Sequence, residues 1–387
     1  MDSKKLGRIL RKGAMMLEDV VDSALNETKA RVGRTYPLSI FPYRSFGNAQ
    51  HMFFWGRVMA DKGITVDRSD SFLENVENSI KRIDSDEIPG AKVKIRFYHQ
   101  TITTTTDEEG YYLAEMTFDD PIPTKDTMWE TAYLSLEEAA DRSQEELKKS
   151  ETTADVLVPP QSVKDFGIIS DIDDTVMKTE ATSLIKSAKL TFFSNAYNRA
   201  PFQGVSALYN ALVKGKDGKQ NHPIFYVSSS MWNLYDLLVD FMKHNDIPTG
   251  PLLLRDIGLT EDSWVKGGHE HKLDKINRIL SYYDHLQFVL IGDSGQHDPE
   301  LYYEAIKSYP DRIAAVYIRN VSSADREREV ERICKKVHEA FSIPFMLVKD
   351  SLEAGKHAVE QGFIPASALQ DIEEHVERDK GHSSANP

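Results

Sequence analysis

The chain has 387 residues, of which 40% are apolar, and a net charge of −14. The length exceeds one average domain and the apolar content is sufficient for buried cores, so we expect two domains. The surplus of acidic residues argues against nucleic-acid binding, because a phosphate backbone is bound by surplus lysine and arginine. The single cysteine, Cys334, excludes an intrachain disulfide. No apolar run has the length of a membrane span and the basic N-terminal segment has no apolar signal core, so we expect a cytoplasmic protein.

Residues 1–33 are predicted to form an amphipathic helix. Apolar residues recur at helical spacing between residues 4 and 30, and the first turns are basic whereas the later ones are acidic. Such a helix either packs on its own domain or lies on an anionic membrane. Peripheral membrane contact is therefore one of two open interpretations.

Residues 34–136 are predicted to form a small β-sandwich domain, because strand-like segments alternate there with turn signals. A predicted helix around residues 72–83 interrupts the strands. The predicted strands are 52–59, 93–98, 111–118 and 129–136. Residues 137–160 are polar and end in two prolines, which indicates a linker or a solvated helix.

Residues 161–365 have the strand–helix alternation of a doubly wound α/β domain with a parallel, Rossmann-like sheet. The predicted strands are 166–170, 224–228, 252–254, 288–291, 313–318 and, at the edge of the sheet, 343–348. Helical patterns are found at 234–242, 272–280 and 352–361. Residues 366–387 are predicted to form a C-terminal helix and a disordered tail from Gly381 onward.

The first strand of this α/β domain ends in a cluster of carboxylates. Its sequence is Phe166-Gly-Ile-Ile-Ser-Asp-Ile-Asp-Asp-Thr175, an apolar run followed by three aspartates. Reactive groups of open α/β sheets lie at the carboxyl ends of the strands, and neighbouring carboxylates repel one another unless a cation lies between them. Mg²⁺ beside a phosphate satisfies this arrangement, with an aspartate as nucleophile. On this segment alone, a Ca²⁺-type loop or a plain turn is an equal alternative.

Three further signals occur near the ends of elements in the same domain. Ser228 ends the second strand and is followed by two more serines; their hydroxyl and backbone N–H groups suit a phosphate, although serines also cap helices. Asp293 and Asp298 flank a glycine turn after the fourth strand, which indicates metal ligation. Lys272 begins the helix that leads into that strand and can reach a phosphate or pair with an aspartate.

Together these four signals resemble the signature of the haloacid dehalogenase superfamily, which is Asp-x-Asp-x-Thr, then Ser or Thr, then Lys, then Gly-Asp with a second acid shortly after. The resemblance implies a haloacid dehalogenase-type fold in which Asp171 is the nucleophile that becomes an aspartyl-phosphate. Asp173 resembles the general acid that protonates the leaving oxygen and then activates water. Ser228 and Lys272 resemble the groups that hold the phosphoryl oxygens, with Lys266 as a less well placed rival of Lys272. The implied ligands of Mg²⁺ are Asp171, the carbonyl oxygen of Asp173, Asp293 and Asp298.

A narrower resemblance covers roughly residues 155–325. Four segments of it look like the actin-patch phosphatidate phosphatase-type catalytic domain, and two segments of the front half are similar to those that precede this domain in bacterial members. The four segments are 170–175, 226–230, 250–255 and 292–298, and the two in the front half are 42–47 and 56–57. This resemblance implies Mg²⁺-dependent hydrolysis of phosphatidate to diacylglycerol.

The stretch between the first two strands of the α/β domain is short, which predicts a minimal cap over the site. Its apolar residues Leu184, Ile185, Leu190, Phe192 and Phe193 lie among the basic residues Lys178, Lys186, Lys189 and Arg199. Either this stretch is an ordinary amphipathic helix packed on the sheet, or it forms a lip that faces lipid and phosphate. An open site suits a bulky or interfacial substrate better than a small sugar phosphate.

Three functional hypotheses follow. The first is a Mg²⁺-dependent phosphatase that converts phosphatidate to diacylglycerol through an aspartyl-phosphate intermediate. The second is a phosphatase of a soluble phosphometabolite or phosphoprotein. The third is a membrane-associated scaffold in which phosphatase activity is secondary.

Overall fold

A computed structural model describes residues 36–60, 88–123, 128–139, 142–160, 162–172, 175–176, 202–219, 221–255 and 270–384. Several sequence-based predictions fall outside these residues. They concern the amphipathic helix at 1–33, the helix at 72–83, Asp173, Lys266, and the lip with its apolar and basic side chains.

Eight strands of the N-terminal part form one hydrogen-bonded sheet. They are β1 (Leu38–Pro42), β2 (Ser45–Gly47), β3 (His51–Ala60), β4 (Lys92–Phe97), β5 (Gln100–Thr105), β6 (Tyr111–Thr117), β7 (Trp129–Glu138) and β8 (Thr152–Leu157). The sheet runs in the order β1-β3-β2-β8-β7-β4-β5, with β6 paired to β3. The pairings are antiparallel except for that of β2 with β8.

Alternation along the strands builds the core of this first sheet, because successive side chains of a strand point to opposite faces. In β6, Tyr112, Ala114 and Met116 are buried while the residues between them are exposed. These side chains pack in one cluster with Phe54 of β3 and Phe97 of β4. The four predicted strands coincide in position with β3, β4, β6 and β7. The sandwich arrangement itself stays a prediction.

Residues 137–160, predicted as a linker or a solvated helix, contain a short exposed helix but belong mostly to the first sheet. This segment contains the end of β7, the short helix α1 (Gln144–Lys148) and β8, which pairs with β7 on one side and with β2 on the other. Its polar composition has two causes: α1 carries acidic and basic residues and begins with a capping box, and β8 exposes alternate polar residues. Because β8 buries Ala154 and Val156 in the core, the first sheet extends to residue 157 rather than ending at 136.

The second sheet has six strands, and all of its pairings are parallel. The strands are β9 (Phe166–Ser170), β10 (Ile224–Met231), β11 (Leu252–Arg255), β12 (Gln287–Asp293), β13 (Ile313–Arg319) and β14 (Phe345–Val348). Each coincides with a strand predicted from the sequence. The apolar run of β9 is buried at every position, as expected for a strand covered on both faces.

Strand order in the second sheet places a switch in winding direction beside β9. The order is β11-β10-β9-β12-β13-β14, so the chain moves from β9 to one side and returns to the other side of β9 with β12. Ligand sites of open α/β sheets lie outside the carboxyl ends of the strands at such a switch. The haloacid dehalogenase-type assignment of this sheet stays a prediction.

Seven helices accompany the second sheet within the described residues. They are α2 (Val205–Lys214), α3 (Tyr235–His244), α4 (Glu270–Tyr282), α5 (Asp298–Ser308), α6 (Ala324–Phe341), α7 (Ser351–Glu360) and α8 (Ala368–Ser384). None of the helices in the described ranges has the length and apolarity needed to cross a bilayer.

The C-terminal helix α8 belongs to this α/β unit. Ile372 and Val376 are fully buried, and α8 packs against α2 and α7. The carboxylate of Asp379 accepts a hydrogen bond from the backbone N–H of Gly204, just before α2. The prediction of a disordered tail from Gly381 is therefore wrong over residues 381–384, because the anchored helix continues through them.

Aromatic side chains join the two sheets. Tyr43, Phe46, Phe53 and Trp55 of the first sheet lie in the same buried cluster as the core of the second sheet. The ring of Phe46 contacts rings on both sides of the junction, and its partners are Phe53, Trp55, Phe225, Tyr282 and Tyr283. Because these rings from both sheets belong to one buried cluster, the two units share one core.

Candidate active site

Three buried aspartates converge at the carboxyl edge of the second sheet. Asp171 directly follows β9, and its backbone N–H donates to the carbonyl of Ile291 in β12, 2.9 Å away. Asp293 is the last residue of β12 and Asp298 is the first residue of α5. One carboxylate oxygen of each aspartate lies within 4.8 Å of those of the other two, and all three residues are at most 1% exposed. Burying three like charges together requires a compensating cation.

Lys272 supplies one positive charge to this cluster. Its Nζ atom, projecting from α4, lies 2.6 Å from Oδ1 of Asp171 and 2.9 Å from Oδ1 of Asp298. Burial by itself lowers the pKa of this lysine, but its attraction and hydrogen bonds to Asp171 and Asp298 outweigh burial and raise the pKa above its ordinary value. The ammonium group is therefore charged at neutral pH, and it holds the two carboxylates together.

The backbone of the loop that carries Asp293 and Asp298 is hydrogen-bonded to the carboxylates of these two aspartates. Oδ1 of Asp293 accepts hydrogen bonds from the backbone N–H groups of Gly295 at 2.6 Å and Gln296 at 2.8 Å. The backbone N–H of Asp293 donates to Oδ2 of Asp298. A Cβ atom on Gly292 would lie 2.7 Å from Oδ2 of Asp298, so only glycine lets the strand approach this carboxylate.

Arg326 of α6 anchors the same loop from outside. Its guanidinium donates to the carbonyls of Ser294 and Gln296 at 3.0 and 2.9 Å. It also forms a bidentate pair with Glu300 at 2.6 and 2.7 Å. The planar fork of arginine matches both a carboxylate and neighbouring carbonyls, so one side chain fixes the loop to α5 and α6.

Ser228 lies at the same edge of the sheet, on the strand next to β9. Tyr226 of β10 is paired with Ser170 of β9, so Ser228 lies beyond the end of that pairing. Its side chain is buried, and its Oγ accepts a hydrogen bond from the backbone N–H of Ser230 at 2.8 Å. The pairing of β10 with β11 shifts register between Val227 and Met231, so the three serines leave the regular ladder.

The donor set is of the kind that a hard divalent cation requires. Asp171, Asp293 and Asp298 offer carboxylate oxygens, which Mg²⁺ prefers over nitrogen and sulfur donors. Lys272 compensates only one of the three charges. The residues present therefore fit Mg²⁺, with the three aspartates as its protein ligands.

Of the residues singled out from the sequence, the structure brings together Asp171, Lys272, Asp293 and Asp298, and it places Ser228 at the same edge. Sequence reasoning missed Arg326, because nothing near it in the chain indicates that it contacts a loop some thirty residues earlier. It also missed Arg319, which is paired in register with Asp293 on β13 and stacks on the ring of Phe202. Burial lowers the pKa of Arg319 to about 10, so this second cation is protonated at neutral pH.

Fold and site together define a parallel α/β unit with a buried carboxylate cluster and a paired lysine at its switch in winding direction. Residues 166–320 match the family described as the catalytic domain of phosphatidate phosphatase APP1. This match lies within the 155–325 segment for which the sequence resembles the phosphatidate phosphatase-type domain, and it supports that narrower resemblance. Membership of the haloacid dehalogenase superfamily stays a prediction.

Two curated yeast proteins are similar to the chain. Phosphatidate phosphatase APP1 of Saccharomyces cerevisiae is 29% identical over 209 residues, which are 52% of this chain and 34% of that protein. An uncharacterized protein of Schizosaccharomyces pombe is 26% identical over 222 residues, which are 56% of this chain and 34% of that protein. The chain thus spans about a third of the length of the curated relatives that it matches.

The similarity of the chain to solved structures is too low to indicate its fold. The match to a CARDB domain from Pyrococcus furiosus covers 33% of this chain and 93% of the chain of that domain, at 13% identity and a TM-score of 0.18. The match to a carbohydrate acetylesterase from Xanthomonas citri covers 77% of this chain and 73% of the esterase chain, at 8% identity and a TM-score of 0.22. Scores this low indicate neither a shared fold nor a shared function.

Proposed function

We propose that this protein is a Mg²⁺-dependent phosphomonoester hydrolase that converts phosphatidate to diacylglycerol through an aspartyl-phosphate on Asp171. The observation that carries the proposal is the convergence of Asp171, Asp293 and Asp298 with Lys272 at the carboxyl edge of the parallel sheet. The choice of substrate is supported by the family match over residues 166–320 and by the similarity to the yeast phosphatidate phosphatase.

In this proposal Asp171, Asp293 and Asp298 would hold Mg²⁺, and the resemblance adds the carbonyl oxygen of Asp173 to this set. Bound there, the ion offsets negative charge on the phosphoryl group that is transferred. Arg326 and the two N–H groups that bind Asp293 fix the conformation of the loop that would carry the ion.

The reaction takes place in two displacements at phosphorus. A carboxylate oxygen of Asp171 attacks the phosphorus atom, the bond from phosphorus to the ester oxygen breaks, and the leaving alkoxide takes a proton from the carboxyl group of Asp173. Water then attacks the phosphorus of the aspartyl-phosphate and gives its proton to the Asp173 carboxylate. The second step restores Asp171 as a carboxylate and Asp173 as an acid, and it releases inorganic phosphate.

Lys272 and Ser228 have distinct tasks in this scheme. Lys272 fixes the orientation of the Asp171 carboxylate through Oδ1 and keeps it ionised, which an attacking oxygen requires. Ser228 is a buried hydroxyl beside the nucleophile strand, where it can bind a phosphoryl oxygen together with neighbouring backbone N–H groups.

The test is phosphate release from phosphatidate in mixed micelles, compared with release from glycerol 3-phosphate and a chromogenic phosphoester, each with Mg²⁺ and with EDTA. The proposal expects Mg²⁺-dependent release with phosphatidate as the preferred substrate. Asp171→Asn is the control and should remove the activity on every substrate. Release from the soluble esters alone contradicts the lipid assignment, and the absence of release from any of them contradicts the hydrolase and favours a scaffold.

A further inference from the structure

A segment of the first sheet lies against the residues that directly follow the serines of the candidate active site. The ring of Tyr43, between β1 and β2, stacks on the indole of Trp232 with a centroid distance of 4.3 Å and an interplanar angle of 16°. The same ring contacts Tyr235 at 4.6 Å. Stacked pairs of this kind add stability beyond the area that they bury.

Polar contacts fix both sides of this stack. The backbone N–H of Tyr43 donates to the carbonyl of Trp55 in β3 at 3.1 Å, which ties Tyr43 to the first sheet. The next residue, Arg44, donates its backbone N–H to the hydroxyl of Tyr235 at 3.0 Å. Since Tyr235 begins α3, the first sheet contacts α3 through both a tilted ring contact and a hydrogen bond.

This contact point is close to the active-site serines along the chain. Ser228, Ser229 and Ser230 lie in the irregular part of β10, and Trp232 begins the single 3₁₀ turn that leads into α3. The regular ladder holds this segment up to Val227, and Met231 pairs again with Arg255 of β11. On the far side it is held at Trp232 and Tyr235, where the first sheet makes its contacts.

We propose that Tyr43 is a positioning residue of the active site: by clamping Trp232 and Tyr235, it keeps Ser228–Ser230 in the conformation that binds the phosphoryl group. In this proposal the first sheet contributes to phosphate binding, because it fixes the conformation of the serine segment. The inference rests on the proposed function in one respect, the assignment of Ser228 to the phosphoryl group.

The test compares Tyr43→Leu with Tyr43→Phe and with Asn48→Ala. Tyr43→Leu keeps an apolar side chain in the junction but removes the ring, whereas Tyr43→Phe keeps the ring. Asn48→Ala is the matched control, because the Asn48 side chain donates to the carbonyl of Tyr282 in the same junction, at the end of α4 remote from Lys272. The assays are KM and kcat on a soluble phosphoester, competitive inhibition by inorganic phosphate, and hydrogen exchange of residues 228–234.

Tyr43→Leu is expected to raise KM and the inhibition constant of phosphate together, by up to about tenfold for a lost aromatic stack. Hydrogen exchange over residues 228–234 should also become faster. Asn48→Ala should resemble the wild type in all three measurements, and Tyr43→Phe should lie much closer to the wild type than Tyr43→Leu does. A merely structural junction would make Tyr43→Leu and Asn48→Ala equivalent, and that result overturns the inference.

The exchange measurement separates this inference from the proposed function. If the wild-type protein hydrolyses no phosphoester, the proposed function fails, and exchange over residues 228–234 still decides whether Tyr43 clamps the segment. If Tyr43→Leu does not fold, Tyr235→Phe tests the same clamp, because it removes only the hydroxyl that accepts from Arg44. Unchanged exchange over residues 228–234 in a folded clamp variant contradicts the inference.

Discussion

Arg326 provides the most quantitative test of how the candidate metal loop is held. Its guanidinium binds two carbonyls of the loop and the carboxylate of Glu300, and its side chain is 20% exposed while that of Glu300 is 41% exposed. Hydrogen bonds to charged groups contribute about 1.5–3 kcal/mol each when buried, and solvent reduces this at half-exposed sites. We therefore expect Arg326→Ala to lower the free energy of unfolding by about 2 kcal/mol.

The same perturbation should weaken Mg²⁺ binding. A loop released from Arg326 must be ordered again when the ion binds, and this cost is at most the lost anchoring energy. Since 1.4 kcal/mol corresponds to a factor of ten, a loss of about 2 kcal/mol weakens Mg²⁺ affinity by up to about thirtyfold. Arg326→Lys should fall between the wild type and Arg326→Ala, because an ammonium group keeps the charge but not the planar fork.

The measurements are urea unfolding and calorimetric titration with Mg²⁺ on the purified proteins. Arg328→Ala is the matched control, because Arg328 lies on the same helix but pairs with Asp325 at a site where it is 61% exposed. An exposed pair contributes less than about 1 kcal/mol, so this variant should behave like the wild type. If Arg326→Ala loses stability while its Mg²⁺ affinity is unchanged, the loop is not held for the metal and the reasoning is refuted.

Three further predictions concern charge and close contact. Lys272→Met should lower the free energy of unfolding by about 3 kcal/mol in EDTA, because Asp171 and Asp298 lose their buried partner. Mg²⁺ should restore much of that loss, and equal unfolding curves of this variant with and without Mg²⁺ contradict the prediction. Gly292→Ala should weaken Mg²⁺ binding measured by calorimetry, because the added Cβ displaces the Asp298 carboxylate. An affinity equal to that of the wild type contradicts this prediction and would show that the strand adapts. Burial lowers the pKa of His222 from its ordinary value of 6.5, so the neutral ring stabilises the fold above that pH and the stabilisation is lost as the pH falls. His222→Gln should therefore show a smaller loss of stability in urea between about pH 7.5 and about pH 5.5 than the wild type, and equal losses contradict this.

Sequence patterns predicted the second sheet because its strands carry strong local signals. β9 is an unbroken apolar run that stops at a cluster of acids, and such a run is typical of a strand buried on both faces. β5 was missed because its sequence, Gln-Thr-Ile-Thr-Thr-Thr, is polar and half exposed. β8 was missed for a related reason, since its few apolar residues are embedded in a polar segment and become buried only through long-range pairing with β2 and β7.

The site shows the same division between local and long-range information. Asp171, Asp293 and Asp298 occur at strand ends and glycine turns, where position along the chain already indicates their location in a parallel sheet. Arg326 and Tyr43 contact residues far away in the chain, and these contacts depend on how helices and sheets pack. No periodicity or motif indicates such contacts, so only the three-dimensional arrangement identifies them.

In the proposed reaction, Asp171 carries the phosphoryl group during turnover. Protein quenched in acid during hydrolysis of phosphatidate, reduced with borohydride and digested with trypsin yields the peptide of residues 165–178, which contains this aspartate. Borohydride converts an acyl phosphate of aspartate to homoserine, so fragmentation of the peptide should locate homoserine at position 171 in the wild type. The same peptide from Asp171→Asn should contain no homoserine. An unmodified Asp171 under steady turnover, or homoserine at Asp173 instead, would show that Asp171 is not the nucleophile.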